Sequence, residues 1–372
     1  TAISACAKGG QWQMAIEMLC QMMPTAVVPN VVSFSAAIDA CARGGEWEQA
    51  MVLLGCMQFL GVPPNNVTMN STIAACAQSG QWELAIVLLE GMEHMYLWPD
   101  NVSYTAAMRA CARASRGAEA LALLQRMWQM GVQPDLVSYS TAISACEKAG
   151  EWAGAFAALE EMRQVRLLPD VVCCSAAISA CEKGSQWNRA LDLLDLMLLW
   201  DGVAPNAFSF NAAISACEKC GKWQQALRLL PSMQELGVAP DAVSFNSAMK
   251  ACGESGQWAQ ALMVLRGMAA LRVDATVVSF STGIGACEKQ GLWAIALELF
   301  GDLLATGLPL DPICLGLGVR ICEQAGEWEA AGALLDGLSK ESATSSRGMA
   351  TGGEGLGNGG VSDAHASMPA VP

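Results

Sequence analysis

The chain has 372 residues, of which 53% are hydrophobic, and its formal net charge is −14. No stretch approaches the roughly 20 consecutive apolar residues that a membrane-spanning helix needs, so the apolar residues belong to a large core. The acidic charge argues against non-specific binding to polyanions, because such binding depends on clustered Lys and Arg.

Cysteine recurs at a fixed place of an internal repeat. Ten of the sixteen cysteines are 35 residues apart, with one extra residue between Cys181 and Cys217. The ten are Cys6, Cys41, Cys76, Cys111, Cys146, Cys181, Cys217, Cys252, Cys287 and Cys322. A periodic cysteine on an apolar helix face is typical of a small core residue in a reducing compartment, not of a disulfide scaffold.

The 35-residue period divides residues 1–341 into ten units. They are residues 1–30, 31–65, 66–100, 101–135, 136–170, 171–206, 207–241, 242–276, 277–311 and 312–341. We number the places of each unit from its first residue, so Val31 is place 1 of unit two; unit one lacks its first five places, and Asn206, which closes the longer unit six, is its place 35. A period of this length accommodates two helices and two turns.

The first half of each unit predicts an amphipathic helix. Phe34, Ile38 and Cys41 occupy places 4, 8 and 11 of unit two, and this spacing puts them on one face of a helix. Glycine at place 15, such as Gly45, stands where a left-handed C-cap would end that helix.

The second half of each unit predicts a second helix, antiparallel to the first. Trp47, Ala50 and Leu54 recur at helical spacing, and Ala at place 20 of every unit lets the two helices approach closely. Proline at place 34, such as Pro64, is expected to stop this helix and set the turn. One hairpin cannot bury both of its apolar faces, so we predict an all-α solenoid of stacked helix-turn-helix repeats.

The two ends of the chain differ from the array. Residues 342–372 are rich in Gly and Ser with few large apolar side chains, and predict a disordered tail. The chain begins at Thr1, in the middle of a unit, so we expect a preceding segment, which would hold any targeting peptide.

Units such as VVSFSAAIDACARGGEWEQAMVLLGCMQFLGVPPN resemble pentatricopeptide repeats of the plain 35-residue class, over residues 1–341. The related tetratricopeptide repeat has a period of 34 residues. Trp at place 17, where the family usually has Leu, and the fixed Cys at place 11 depart from the pattern on faces that we expect to be buried. The resemblance implies a right-handed superhelix that binds single-stranded RNA, without catalysis or a cofactor, in RNA processing, stability or translation in a mitochondrion or plastid.

Places 2, 5, 9, 12 and 13 share the helix face opposite places 4, 8 and 11, and we expect them to line the inner surface of the superhelix. Place 5 holds a small hydroxyl or amide residue in every unit from two to nine, which local hydrogen bonding would also explain. Place 35 holds Asn, Asp or Thr, which are good N-caps for the next helix, and capping does not exclude a contact with a base.

The resemblance implies that places 5 and 35 of a unit together read one RNA base. The candidate pairs are Ser35 with Asn65, Asn70 with Asp100, Thr105 with Asp135, Ser140 with Asp170, Ser175 with Asn206, Asn211 with Asp241, Asn246 with Thr276 and Ser281 with Asp311. In the code of the family these pairs correspond to the site 5′-AUGGAUYG-3′, with the first unit at the RNA 5′ end. Unit ten has Gly316 at place 5 and resembles a cap.

Place 2 is apolar on an otherwise polar face, and the resemblance implies that its side chains sandwich the bases. These residues are Val32, Val67, Val102, Val137, Val172, Phe208, Val243 and Val278.

Place 13 is basic in seven units and predicts a ladder of positive charge for the phosphate backbone. The seven are Lys8, Arg43, Arg113, Lys148, Lys183, Lys219 and Lys289. Glutamate at place 12 of several units weakens this ladder, and a solvated Lys that favours the helix C-terminus is the alternative interpretation.

Other chemistry is disfavoured by the sequence. Cys217 and Cys220 form a lone C-x-x-C, whereas a zinc site needs two more ligands, so we predict no metal. His94 and His365 are the two histidines of the chain, too few for catalysis built on His. The periodic Trp at place 17 favours core packing over base stacking. A protein-binding scaffold remains the alternative function, although it would predict more varied side chains at places 2 and 5.

Overall fold

A computed structural model describes residues 2–22, 29–200, 202–310 and 312–326, all helices and connecting segments. The first helices of the units are α1 (Ala2–Lys8), α3 (Val31–Gly44), α5 (Asn66–Gln78), α7 (Asn101–Arg113), α9 (Leu136–Ala149), α11 (Val171–Lys183), α13 (Ala207–Lys219), α15 (Ala242–Glu254), α17 (Val277–Glu288) and α19 (Pro312–Ala325). The second helices are α2 (Trp12–Met22), α4 (Trp47–Phe59), α6 (Trp82–His94), α8 (Gly117–Gln129), α10 (Trp152–Gln164), α12 (Trp187–Leu199), α14 (Trp223–Glu235), α16 (Trp258–Ala270) and α18 (Trp293–Ala305).

The hairpins stack in two layers with different spacing. Successive first helices pack against one another along the whole array, from α1 on α3 to α17 on α19. Among the second helices that the structure describes, only α8 and α10 come close in their backbones, and α6 and α8 are bridged by the long Arg126 side chain, which pairs with Glu90 and Glu93. The first helices therefore form a closely packed inner layer, and the second helices spread apart on the outside. This confirms the predicted all-α superhelix of helical repeats.

The core lies between the layers and follows the predicted places. Phe34, Ile38 and Cys41 are buried, and Ala at place 20 has no exposed surface in any unit from Ala15 to Ala296. All sixteen cysteines are free thiols. Burial raises the pKa of Cys41 to about 11, so this thiol stays protonated and behaves as a small apolar side chain.

Both turns of a unit are made by residues in the left-handed conformation. Gly45 has φ 77°, and the next residue, Glu46, donates its N–H to the Cys41 carbonyl at 3.0 Å. The second helix ends at Phe59, and the reversal is made at Gly61, with φ 68°. Pro64 therefore lies after the turn, directly before the N-cap of the next helix, and does not stop the second helix as expected.

The Trp side chains at place 17 are half-buried where units meet. A Cβ on Gly44 would lie 2.6 Å from Cδ1 of Trp12, so the end of α3 must have glycine there for the Trp ring to pack on it. The Arg116 guanidinium lies 4.5 Å from the ring centroid of Trp82, in the preceding unit. These contacts confirm packing between units and leave the rings at the start of the outer helices, away from the inner surface.

Some predicted features lie outside the described residues. They are Asp311, the second half of unit ten and the Gly/Ser-rich segment 342–372. Within the part of the chain that the structure describes, no helix has the length and apolar character required to cross a membrane.

Two buried tyrosines at place 4 provide a matched test of the core. The Tyr104 hydroxyl is buried without a hydrogen-bond partner, whereas the Tyr139 hydroxyl donates to Glu161 at 3.1 Å. We expect Tyr139→Phe to lower the free energy of unfolding by about 1 kcal/mol and Tyr104→Phe to leave it unchanged or raise it. Thermal and urea unfolding of both variants would check this, and equal losses would contradict it.

Candidate nucleic-acid interface

Apolar side chains at place 2 form an exposed ladder on the inner layer. Their exposed fractions lie between 47% for Val137 and 70% for Val32, and Phe208 belongs to the same series at 57%. Each of these residues lies in the first turn of a first helix, so the ladder rises by one step per unit. These apolar side chains are therefore accessible to a ligand in each of the eight units.

Side chains at place 35 cap the next first helix in all eight units where this place is described. Asn65 accepts the Thr68 N–H at 2.9 Å, and Asp100 accepts the Ser103 N–H at 2.9 Å. The same contact is made by Asn30, Asp135, Asp170, Asn206, Asp241 and Thr276. The capping interpretation is therefore confirmed. The capping contact also determines which atoms of each side chain are left to bind a ligand.

The cap fixes the orientation of the asparagine amides. A backbone N–H requires an acceptor, so Oδ1 of Asn65 must face the helix, where it also accepts the Thr68 hydroxyl at 2.8 Å. The Nδ2 amino group of Asn65 then points away from the helix as a hydrogen-bond donor. Asn206 is held in the same way by Ser209, through its N–H and its hydroxyl, both at 2.9 Å.

Aspartate at place 35 leaves an acceptor in the same position. Oδ1 of Asp100 receives the Ser103 N–H, and Oδ2 remains available. Burial alone would raise the pKa of Asp100, but hydrogen bonds from Ser103 and Asn70 outweigh it and hold the pKa below its usual value. Asp241 has a lowered pKa for the same reasons. Both carboxylates are ionised at neutral pH and can only accept hydrogen bonds.

Two of the predicted pairs are joined directly by a hydrogen bond. Nδ2 of Asn70 donates to Asp100 at 3.2 Å, and Nδ2 of Asn211 donates to Asp241 at 3.2 Å. Oδ1 of Asn70 accepts a hydrogen bond from the hydroxyl of Ser103 in the next unit, and Oδ1 of Asn211 accepts one from the hydroxyl of Ser244. The second amino hydrogen of each asparagine is left for another partner.

The serine and threonine residues at place 5 are less uniform. Ser35 is hydrogen-bonded to Thr68 and Ser175 to Ser209, both at 2.7 Å between hydroxyl oxygens. Thr105 donates to the Asn101 carbonyl of its own helix at 2.6 Å. Contrary to the expectation of lining residues, Thr105 and Ser175 are buried, at 8% and 5% exposure, because the neighbouring unit packs over them.

The three remaining place-5 residues, Ser140, Asn246 and Ser281, have different surroundings. Ser140 and Ser281 turn back and donate to the carbonyls of Val137 and Val278, each at 3.0 Å. Oδ1 of Asn246 is buried without a hydrogen-bond partner.

A residue at place 3, not predicted to take part in the site, contributes to it. In several units its hydroxyl contacts both the place-5 residue of the preceding unit and the N-cap of its own helix, as Ser103 contacts Asn70 and Asp100. Thr68, Ser138, Ser209 and Ser244 do the same, whereas Ser279 contacts only its N-cap, Thr276. The residues at place 3 are Ser33, Thr68, Ser103, Ser138, Cys173, Ser209, Ser244, Ser279 and Cys314. A Ser or Thr three residues after an Asn or Asp, at the start of a predicted helix, is the available signal, since that is the spacing of a capping box.

Family profiles match most of the array. The profile of the PPR repeat family matches residues 29–78, 64–113, 99–148 and 205–254, and that of the PPR repeat matches residues 1–23, 137–167, 172–201 and 243–273. The chain belongs to the pentatricopeptide repeat (PPR) family. No curated protein gives a significant sequence match to the chain.

Solved PPR structures are similar in fold. The crystal structure of PPR10 in complex with an 18-nt psaJ RNA element has 22% identity and a TM-score of 0.50, and the match covers 90% of this chain and 52% of that one. The chain thus spans about half the length of that protein. PPR10 from maize (16% identity, TM-score 0.35, coverage 91% and 62%) is more distant, as is the PPR domain of Arabidopsis thaliana PRORP1 in complex with tRNA (15%, 0.42, 50% and 94%).

The basic ladder of this PPR array is largely occupied by internal partners. All seven residues are exposed, but Lys183 pairs with Glu147 at 3.1 Å and Lys219 pairs with Glu182 at 3.0 Å. Arg43 and Arg113 are also engaged, by Asp39 at 3.1 Å and by the carbonyl of Gln78. Lys8, Lys148 and Lys289 make no ion pair with a described residue. The expected seven free cations are therefore reduced to three.

The C-x-x-C pair has other roles. Cys217 is buried in the core, and the thiol of Cys220 donates to the Ser185 carbonyl at 3.2 Å. Across the described ranges, no group of three or more His, Cys, Asp or Glu side chains is arranged to hold a metal ion.

Proposed function

We propose that the chain binds single-stranded RNA sequence-specifically, one base per unit, through the residue pairs at places 5 and 35. The observation that carries this proposal is that helix capping fixes which hydrogen-bonding atom each place-35 side chain presents, next to the exposed apolar side chains at place 2. A base enters between neighbouring place-2 side chains, which contact its faces, and presents its Watson–Crick edge to the pair. The chain acts by binding, without catalysis, in the processing, stability or translation of RNA in an organelle.

The residue at place 35 distinguishes bases whose ring nitrogen donates a hydrogen bond from bases whose ring nitrogen accepts one. Uracil and guanine present a ring N–H, which needs an acceptor such as Oδ2 of Asp100. Adenine and cytosine present a ring nitrogen acceptor, which needs a donor such as Nδ2 of Asn65. Because the cap fixes these atoms, Asp favours U or G and Asn favours A or C.

The residue at place 5 selects the size and the exocyclic group of the base. Asn70 offers one amino hydrogen to a uracil carbonyl and fills the space that a purine would need. Ser35 is shorter than asparagine and leaves room for a purine. Because its hydroxyl hydrogen is donated to Thr68, its oxygen can accept a hydrogen bond from the amino group of adenine. This chemistry supports A, U, A and U for units two, three, six and seven; the other four assignments rest on the family's code.

Competition binding tests the proposal. We expect the chain to bind 5′-AUGGAUYG-3′ in preference to a scrambled octamer of the same composition, measured by gel shift or fluorescence anisotropy. Equal affinity for both octamers would overturn the sequence-specific interface. A chain that captures folded protein partners but neither RNA would favour the protein-binding scaffold.

The ion pairs of the ladder predict the salt dependence of RNA binding. Three free cations give a slope of log Kd against log salt with a magnitude of about 2, from about 0.7 for each phosphate contact. Glu147→Gln with Glu182→Gln releases Lys183 and Lys219, so the affinity should rise and the magnitude should reach about 3.5. Binding titrations at several salt concentrations measure both.

Glu48→Gln with Glu83→Gln is the control, since it removes the same two charges at exposed residues of the outer helices α4 and α6. Its effect should be small, because neither glutamate forms an ion pair with the basic ladder and exposed charges at a distance are screened by salt. An equal effect of this control, or no effect of Glu147→Gln with Glu182→Gln, would show that the ion pairs do not limit RNA binding.

A further inference from the structure

The hydroxyl group at place 3 is the element that connects neighbouring units at the inner surface. Ser103 is fully buried, accepts the backbone N–H of Asp100 at 3.2 Å, and contacts both Asn70 and the Asp100 carboxylate through its hydroxyl. Ser244 repeats these contacts with Asn211 and Asp241. A capping box requires only the contacts with the aspartate, so the contact with the asparagine of the previous unit has another consequence.

That consequence is the orientation of the asparagine amide. An amide can present its carbonyl or its amino group to a base, and these have opposite hydrogen-bonding character. With Oδ1 of Asn70 held by the Ser103 hydroxyl and one amino hydrogen held by Asp100, only the other amino hydrogen can face a ligand. A donor at that point suits the carbonyl oxygen of uracil and repels the amino group of cytosine.

Units followed by cysteine at place 3 provide an internal comparison. Ser35 and Ser175 are followed by Thr68 and Ser209, and each is hydrogen-bonded to that hydroxyl. Ser140 precedes Cys173, and its hydroxyl is directed instead to the Val137 carbonyl. A thiol is a weak hydrogen-bonding group, so it does not draw the serine toward the pair.

We propose that the place-3 hydroxyl is a positioning residue, which sets the base specificity of the preceding unit by orienting its place-5 side chain. This inference rests on the proposed function, since it concerns how the same site discriminates between bases. It assigns a role to Ser103 and Ser244 that a capping residue alone would not have.

The test compares Ser103→Ala with Ser279→Ala in the full chain. Ser279 takes part in the same kind of capping box, with Thr276, but makes no hydrogen bond to Asn246, whose Oδ1 has no partner. Both variants should lose similar stability in thermal melts. The measured quantity is the preference for U, which is the Kd for the octamer with C in its second position divided by the Kd for 5′-AUGGAUYG-3′.

We expect Ser103→Ala to reduce this ratio by about 3- to 10-fold, the value of one hydrogen bond, and Ser279→Ala to leave it unchanged. Ser103→Thr, which retains a hydroxyl as Thr68 does, should keep the parental ratio. An unchanged ratio in a folded Ser103→Ala protein, with U still preferred by the parent, would overturn this inference alone. A parent without preference for U would overturn the proposed function with it.

The reverse substitution, Cys173→Ser, should change the discrimination made by unit five. The introduced hydroxyl can bond to Ser140 and draw it away from the Val137 carbonyl, as in units two and six, where the serine oxygen is left to accept a hydrogen bond from the amino group of adenine. We expect the preference for G over A at the fourth base to fall by about threefold or more. No change in this preference would count against the proposal.

Discussion

Asp100→Asn should change the preferred second base of the site from U to C, so that 5′-ACGGAUYG-3′ displaces 5′-AUGGAUYG-3′. The cap requires an acceptor for the Ser103 N–H, so the new amide must direct its oxygen to the helix, as Asn65 does. Its amino group then takes the position of the carboxylate oxygen, and a ring nitrogen acceptor replaces a ring N–H as the favoured partner. Because the carboxylate no longer holds Nδ2 of Asn70, that amide can turn and present its oxygen to the amino group of cytosine.

The substitution separates base reading from capping, because asparagine and aspartate cap helices about equally well. The melting temperature should therefore stay within the range expected of a surface change. A single mismatch in a nucleic-acid interface is worth about 1–3 kcal/mol, so the ratio of the two affinities should change by roughly 5- to 150-fold. Competition binding with both octamers measures this ratio.

Asn65→Asp in unit two is the reciprocal control. It replaces a donor with an acceptor, so the first base should change from A to G while the second stays U. If Asp100 and Asn65 act only as N-caps, both variants will keep the parental preference at every position, and the assignment of place 35 to base reading will be wrong.

The helical fold could be predicted from the repeat because the period and the apolar spacing are properties of a single unit. Ala50 and Cys41 are small at the places where helices meet, and Gly45 stands where the backbone adopts a positive φ. Asn65 and Asp100 were recognisable as N-caps because they directly precede an apolar helical pattern. Pro64 was misjudged because the turn that reverses the chain is made three residues earlier, at Gly61.

Contacts between units could not be predicted, since they depend on the register in which one unit packs on the next. Lys183 and Glu147 are 36 residues apart, and nothing in either unit alone shows that they meet at 3.1 Å. Thr105 is buried for the same reason, because α9 packs over the start of α7. The link from Ser103 to Asn70 likewise belongs to two units, although its capping half has a local sequence signal.

These contacts also explain how an acidic chain can present a surface for RNA. Glu147 and Glu182 face the cations of the following units, so their charge is neutralised within the array. With these charges neutralised, the proposed mode of binding relies for the larger share of recognition on the apolar and hydrogen-bonding groups of the inner surface. Binding of this type gives less affinity for RNA of arbitrary sequence, because few counterions are released.

Asn70→Thr is expected to change the second base from U to G, giving a preference for 5′-AGGGAUYG-3′. The carboxylate of Asp100 is unaffected and still requires a base with a ring N–H, so the choice remains between U and G. Threonine is shorter than asparagine and leaves room for a purine. The resulting pair equals the natural pair of unit four, Thr105 with Asp135, which the code of the family assigns to G.

The double variant Asn70→Thr with Asp100→Asn should then prefer A, with 5′-AAGGAUYG-3′ as its site. Place 5 sets the size of the base and place 35 sets the ring nitrogen, so the parent, the two single variants and the double variant should each select a different octamer of the four. Competition binding of each protein against all four octamers gives the complete comparison. A double variant that still prefers U or G, while folded, would contradict the separate roles of the two places, because Asp100→Asn would then have left the ring-nitrogen preference unchanged.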